Sequence, residues 1–199
     1  VKPEFKEFKA ERPTFKKSLG IPTIESLSDD HPARSFLSKR EIPEENFKNL
    51  YYAEDFKRFV EELNIEQEGL KENDPRIVIP FYDKEKNLIA IQGRTIGNSV
   101  LRYITVKTNE GNEKIYGMDT ANTEEMIYVV EGPFDSMFVD NAIATCDSNL
   151  THAATVYDKS NITLVFDNEP RNKEIVKKIE KAIEEHYNVV IWPEMIEEK

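Results

Sequence analysis

One cysteine in 199 residues, Cys146, excludes an internal disulfide and any zinc site built from several thiolates of this chain. That scarcity fits a reducing, intracellular compartment, and a cytoplasmic protein is expected (in the host cytoplasm if phage-encoded). No apolar run approaches the ~20 residues that a membrane-spanning helix requires, and the amino terminus carries no signal-peptide pattern. No membrane partner is therefore expected. Internal repeats and low-complexity tracts are also missing. Because the chain opens on Val1 rather than methionine, it reads as a piece of a longer protein.

What is present is enough for a folded core. With 39% apolar and 33% charged residues, the chain can form one large or two small domains. The net charge of −11 argues against a polyanionic partner, but its distribution does not. Residues 76–114 hold seven basic side chains against four acidic ones. A basic stripe on an acidic protein can bind a polyanion in a salt-dependent way, and it can equally be the solvated face of a β-rich segment.

Four segments follow along the chain. Residues 1–28, with Phe5, Phe8 and Phe15 among alternating charges and broken by three prolines, read as a linker or extension. Residues 29–72 read as a helical segment. Asp29 or Asp30 is expected to cap its first helix, Pro43 to open a second, and residues 53–63 to form a third that buries Phe56, Phe59 and Val60. Residues 73–119 read as β-rich, with strands over 76–82 and 88–94 joined by a polar turn and a third strand over 102–107. Pro80 inside the first run predicts an edge strand or a bulge. From residue 120 to 199 the rhythm is strand, helix, strand, which predicts a parallel sheet of the α/β class. Its strands are expected at 126–130, 143–145, 162–166 and 189–192, with helices at 133–141 and 171–187.

Two of those strands end in acid. The stretch YVVEGPFDSM places Glu131 and Asp135 after the first, and LVFDNE places Asp167 and Glu169 after another. Ligands of open α/β sheets bind off the carboxyl ends of the strands. If the two strands are neighbours, the carboxylates gather there, and a hard divalent cation relieves their mutual repulsion. A magnesium site that handles phosphates is the sharp reading; ordinary charged strand ends are the plain one. Asp147 and Ser148, after a short strand, are candidates to border a nucleotide. His31 reads as a cap or surface residue, His152 and His186 as structural or exposed, and Cys146 as no nucleophile for want of a basic neighbour.

Taken in order, RIVIPFYDKEKNLIAIQGR, LRYITVK with KIYGMD, YVVEGPFDSM and LVFDNE resemble the catalytic core of bacterial-type DNA primases, whose catalytic subdomain is the Toprim fold. HPARSFLSKREI resembles the helical entry to that core, and DNEPRNKEI looks most like the primases of T-even-type phages. The likeness covers roughly residues 30–195. It implies a Toprim-like parallel sheet flanked by helices, preceded by a basic mixed β/α subdomain and a small helical segment. It further implies template-directed synthesis of short RNA primers on single-stranded DNA by nucleotidyl transfer from ribonucleoside triphosphates. Magnesium is the implied metal, with manganese as a substitute, and a replicative helicase the implied partner.

By the resemblance, Glu131, Asp167 and Glu169 are catalytic, and with Asp135 they hold metal. Glu169 stands where the family usually has aspartate, which keeps the charge but lengthens the arm. Arg76, Arg94, Arg102, Tyr103, Lys107, Lys114 and Tyr116 fall on the basic motif that contacts template and nucleotide, and Tyr103 or Tyr116 is a candidate to stack on a base. The family's zinc module has no counterpart here, so no zinc is expected. A Toprim nuclease using the same acids, or a non-catalytic module that holds single-stranded DNA or a helicase, are the alternative readings.

Overall fold

The structure is a computed structural model that describes residues 19–111, 113–147, 149–193 and 196. Most of the amino-terminal extension read from the sequence, residues 1–18, lies outside the described residues, as do Asn112 and Ser148. Two four-stranded sheets make up the molecule. The first is an antiparallel meander in the order β1-β2-β3-β4: β1 (Tyr51–Ala53), β2 (Arg76–Tyr82), β3 (Leu88–Thr95) and β4 (Tyr103–Lys107). The second is parallel, in the order β6-β5-β7-β8: β5 (Ile127–Val130), β6 (Ala142–Ala144), β7 (Ile162–Leu164) and β8 (Asn188–Val189). No described helix is long and apolar enough to cross a membrane.

Alternation along β2 and β3 explains how the first sheet is covered on both faces. On one side Val78, Ile91 and Val106 pack against Phe56, Phe59 and Val60 of helix α2 (Phe56–Glu62). On the other, Ile77, Ile79 and Phe81 meet Ala33 and Leu37 of helix α1 (Pro32–Lys39) together with Phe134. Phe134 belongs to the single-turn helix α3 (Pro133–Ser136), so this core joins the antiparallel half to the parallel one. The second sheet buries Ile127, Val129, Ile162 and Leu164 against Ile175 and Ala182 of helix α4 (Lys173–Glu184).

Several local expectations are refined. His31, not Asp29 or Asp30, caps α1: its Nδ1 accepts the Ala33 amide at 3.1 Å. Pro43 opens a 3-10 helix, Glu44–Asn49. Tyr51–Ala53 pairs with β2 as a strand where helix was expected, because three residues are too few to show a period of two. Pro80 is tolerated in a strand that has neighbours on both sides because β1 starts at Tyr51, opposite Val78, and does not extend alongside Pro80; a register shift follows at Phe81 and Tyr82. The helix expected over 133–141 is one turn long: it ends at Ser136 with Met137 as its cap, and a turn leads to Asn141 at φ 52°.

At Gly93 the Phe56 ring of α2 packs directly onto the sheet backbone. A Cβ there would lie 2.7 Å from the Phe56 ring and 2.8 Å from Arg76 Cδ, both inside the packed interior. Gly93→Ala is expected to destabilise the protein by roughly 1–3 kcal/mol through overpacking. Urea unfolding checks this, and an unshifted midpoint would show that the ring can yield.

Candidate active site

The carboxyl ends of three adjacent parallel strands each present an acid. β5 lies between β6 and β7, paired with both. The ladder continues past the named strands: the Thr145 and Cys146 amides donate to Val130 O and Glu131 O at 3.2 and 2.9 Å, and the Val165 amide to Val129 O at 2.8 Å. Asp147, Glu131 and Asp167 therefore emerge side by side, and all three line one cleft of about 390 Å3 together with Asp135. Asp135 gets there because Gly132 has no side chain: a Cβ at 132 would lie 2.6 Å from Asp135 Oδ2. Gly132 caps α3 with its backbone alone, and the carboxylate of the first turn folds over it.

Glu169 takes another course. It does not line the cleft, and its Oε2 accepts from Asn172 Nδ2 at 2.6 Å, beside the cap of α4. Its longer arm is thus engaged locally. Among the described residues, no three His, Cys, Asp or Glu side chains are gathered closely enough to cage a metal ion by themselves. The donors in the cleft are nevertheless hard oxygens. They fit magnesium, which keeps several waters and is usually completed by one or two carboxylates and substrate phosphates.

The rest of the lining comes from the antiparallel half. Alternate residues of β3 and β4 share one face: Gln92 lies opposite Thr105, and Arg94 opposite Tyr103. Gln92, Thr105 and Tyr103 line the cleft, joined by Arg40 from the end of α1 and by Cys146. The Arg94 guanidinium stacks on Tyr103 (4.7 Å to the ring centroid) and on Phe36 (5.4 Å), and Arg40 lies over Phe36 and Phe134 (5.7 Å each). Burial, assisted by repulsion from Arg40 and Arg102, pushes the Arg94 pKa down. Among the described residues none of these three arginines has a carboxylate partner, and Arg94 Nε is buried without a hydrogen-bond acceptor. Unneutralised guanidinium next to a carboxylate-lined cleft suits phosphate.

Other basic-motif residues part company here. Arg102 and Tyr103 are exposed, and Lys107 donates to Glu110 O at 3.1 Å. Lys114 is exposed but does not line the cleft. Tyr116 does not line it either: its ring packs edge-on against Phe81 at 5.4 Å, and burial pushes its hydroxyl up to about 12. Of the two candidate stacking tyrosines, only Tyr103 lines the cleft.

Arg76 is the clear correction. A template contact was expected, but the side chain is fully buried. Its Nε and Nη2 meet Asp74 Oδ2 at 2.8 and 2.7 Å, Nη1 donates to Gly93 O at 2.8 Å, and Nη2 also reaches Leu101 O at 3.0 Å. With its donors committed inside the protein, it holds the β3–β4 loop and cannot reach a ligand.

Arg40, Gln92 and Thr105 carried no assigned role in the sequence. Arg40 ends a helix in a stretch rich in charge, where no spacing distinguishes it from Lys39. Gln92 and Thr105 fell inside the strands expected over 88–94 and 102–107, with nothing in the sequence to mark them out.

Comparison with known proteins adds a class to this geometry. No protein-family model matches the chain. The RNA polymerase domain of Mycobacterium tuberculosis primase DnaG superposes with a TM-score of 0.64 at 17% identity, covering 87% of this chain and 72% of that one. A DnaG primase catalytic domain bound to single-stranded DNA gives 0.60 at 14% identity, covering 89% and 68%. The chain has the fold of bacterial-type primase catalytic cores, Toprim sheet included. In sequence it is similar to the DNA primase of Enterobacteria phage T4, 29% identical over 170 residues that make up 85% of this chain and 49% of the phage protein. The chain thus spans about half the length of the curated relative it matches.

Proposed function

We propose that this chain is a primase catalytic core that joins ribonucleotides into short RNA on single-stranded DNA. One observation carries the reading: three neighbouring parallel strands deliver Asp147, Glu131 and Asp167 to a cleft that Arg40 and Tyr103 also line. Primer synthesis requires attack of a 3′-hydroxyl on an α-phosphate with departure of pyrophosphate. Magnesium or manganese held by Glu131, Asp135 and Asp167 would supply activation of the hydroxyl and neutralisation of phosphate charge. Glu169 joins that set only by giving up Asn172.

The remaining chemistry belongs to the chain's own side chains. Arg40, with Arg94 behind Tyr103, draws the triphosphate or the template backbone into the cleft. Tyr103 offers a base a sequence-tolerant stacking face. Glu131, at the end of the central strand of the three, is also placed to accept the proton of the attacking hydroxyl. The segment 73–119 supplies the nucleic-acid surface and the segment 120–199 the acids, after the helical segment 29–72. A replicative helicase is the proposed protein partner, on the strength of the resemblance.

Single-stranded template, the four ribonucleoside triphosphates and magnesium are expected to give short RNA, and chelation of the metal to stop it. Cleaved DNA would instead identify a nuclease, and bound but unchanged DNA a binding module. Arg102→Ala combined with Lys107→Ala is expected to weaken template binding at low salt. Loss of two backbone contacts lowers the slope of log affinity against log salt by about 1.4 for a single strand. A slope equal to the wild type's would remove these two residues from the template path.

A further inference from the structure

One polar atom in the cleft is left over. Gln92 is 3% exposed and lines the cleft, and its Nε2 donates to Thr105 Oγ1 at 3.0 Å. Its Oε1 is buried and has no hydrogen-bond partner among the described residues. A buried carbonyl oxygen without a donor is costly, so in a cleft it calls for a partner from outside the fold, a water or a ligand group that displaces it. The Cys146 thiol interacts with the Gln92 side chain, but burial pushes its pKa up and a neutral thiol is only a weak hydrogen-bonding partner.

We infer that Gln92 recognises a ribose hydroxyl of the bound nucleotide and so selects ribonucleotides over deoxyribonucleotides. The inference rests on the nucleotide-handling role proposed above and goes further by assigning the sugar. Three arguments favour a hydroxyl over a base edge. First, the Thr105 hydroxyl can accept or donate, so the Gln92 amide can present either its oxygen or its NH2 to the cleft. A hydroxyl is the one nucleotide group complementary to both orientations. Second, an enzyme that copies a template must accept all four bases. A fixed buried acceptor would favour an exocyclic amine and reject a carbonyl at the same position, whereas every ribonucleotide carries the same 2′-hydroxyl. Third, Gln92 lines the same cleft as the acids proposed to manage the phosphates, and the sugar is the part of a nucleotide joined directly to them.

The energetics then run in the right direction. A site built around a hydroxyl leaves its buried polar atom unpaired when the deoxy analogue enters, which is the arrangement that discriminates most strongly against a missing group. The 2′-hydroxyl is also the atom by which proteins tell RNA from DNA.

The test is equilibrium binding of ATP, 2′-deoxy-ATP and 3′-deoxy-ATP with magnesium, by calorimetry, to the wild type and to Gln92→Met. Methionine keeps the length and removes both polar atoms. The wild type is expected to prefer ATP over 2′-deoxy-ATP by about tenfold or more, in line with the 1–3 kcal/mol that an unsatisfied buried acceptor costs. Gln92→Met should bring the ratio to within a factor of about two to three, by weakening ATP and leaving 2′-deoxy-ATP nearly unchanged. Thr105→Val, which frees the amide without deleting it, should give an intermediate ratio and serves if the methionine variant does not fold. An unchanged ratio, an equal loss for all three nucleotides, or discrimination at the 3′ rather than the 2′ position would each overturn the assignment. Because the readout is binding, it separates from the proposed activity. A wild type that binds with ribose preference but makes no primer sinks the polymerase reading alone; one that makes RNA with an unaltered ratio in Gln92→Met sinks the sugar assignment alone.

Discussion

Glu131→Gln is expected to abolish primer synthesis while leaving single-stranded DNA bound at close to wild-type affinity, and Asp167→Asn to do the same. The two carboxylates end neighbouring strands and line one cleft, so each substitution removes a negative oxygen where phosphate charge must be managed. A loss of roughly three orders of magnitude, about 4 kcal/mol of transition-state stabilisation, is the scale for a group that acts on the reacting atoms. The amides are nearly isosteric with the acids, so thermal unfolding should barely move. Binding should persist because the proposed template surface lies on the antiparallel sheet, around Tyr103 and Arg102. Undiminished synthesis in either variant would take that acid out of the reaction. Lost synthesis accompanied by lost DNA binding would mean that the acids shape the nucleic-acid surface.

The second large effect concerns stability. Arg76→Met is expected to cost about 3–5 kcal/mol, because it strands a buried carboxylate. Asp74 is only 13% exposed and answers to the guanidinium through both Nε and Nη2. The carbonyls of Gly93 and Leu101 lose donors in the same stroke. Lysine should not rescue it, since one ammonium cannot reproduce a planar fork with acceptors on several sides. Denaturant unfolding with Arg76→Met, Arg76→Lys and Asp74→Asn reads this directly. A variant that unfolds like the wild type but binds template poorly would restore the contact role expected from the sequence.

Arg76 also marks where sequence reading stops. A basic residue opening a basic, β-rich stretch looks like a ligand contact, and nothing in RIVIPFY reveals that its partners are Asp74 and the backbone of two other segments. The strands of the parallel sheet were legible for the opposite reason. Apolar runs ending in acid declare both burial and the strand end, and the pairing of β5 with β7 meets the condition that the sequence reading left open. The Glu169 arm was readable as an oddity, but its engagement with Asn172 depends on a rotamer that no pattern encodes. His31 could be read as a cap but not placed above Asp29 and Asp30, which are equally good caps by residue type. Arg40, Gln92 and Thr105 become visible only once two sheets from distant parts of the chain meet at one cleft.

That meeting has a mechanical side. Just before the parallel sheet begins, Tyr116 pairs with Ala144 on the outer edge of β6, through amide-to-carbonyl bonds of 2.8 and 3.1 Å. Farther along, Glu113 holds His152 at 2.6 Å, and Lys84 of the β2–β3 turn lies 4.7 Å from the Tyr157 ring centre. The two halves are thus stitched at several points rather than tethered by one flexible strap. Wide opening of the two halves would have to break these contacts, so under the function proposed above a nascent duplex would pass along a cleft whose width is largely preset.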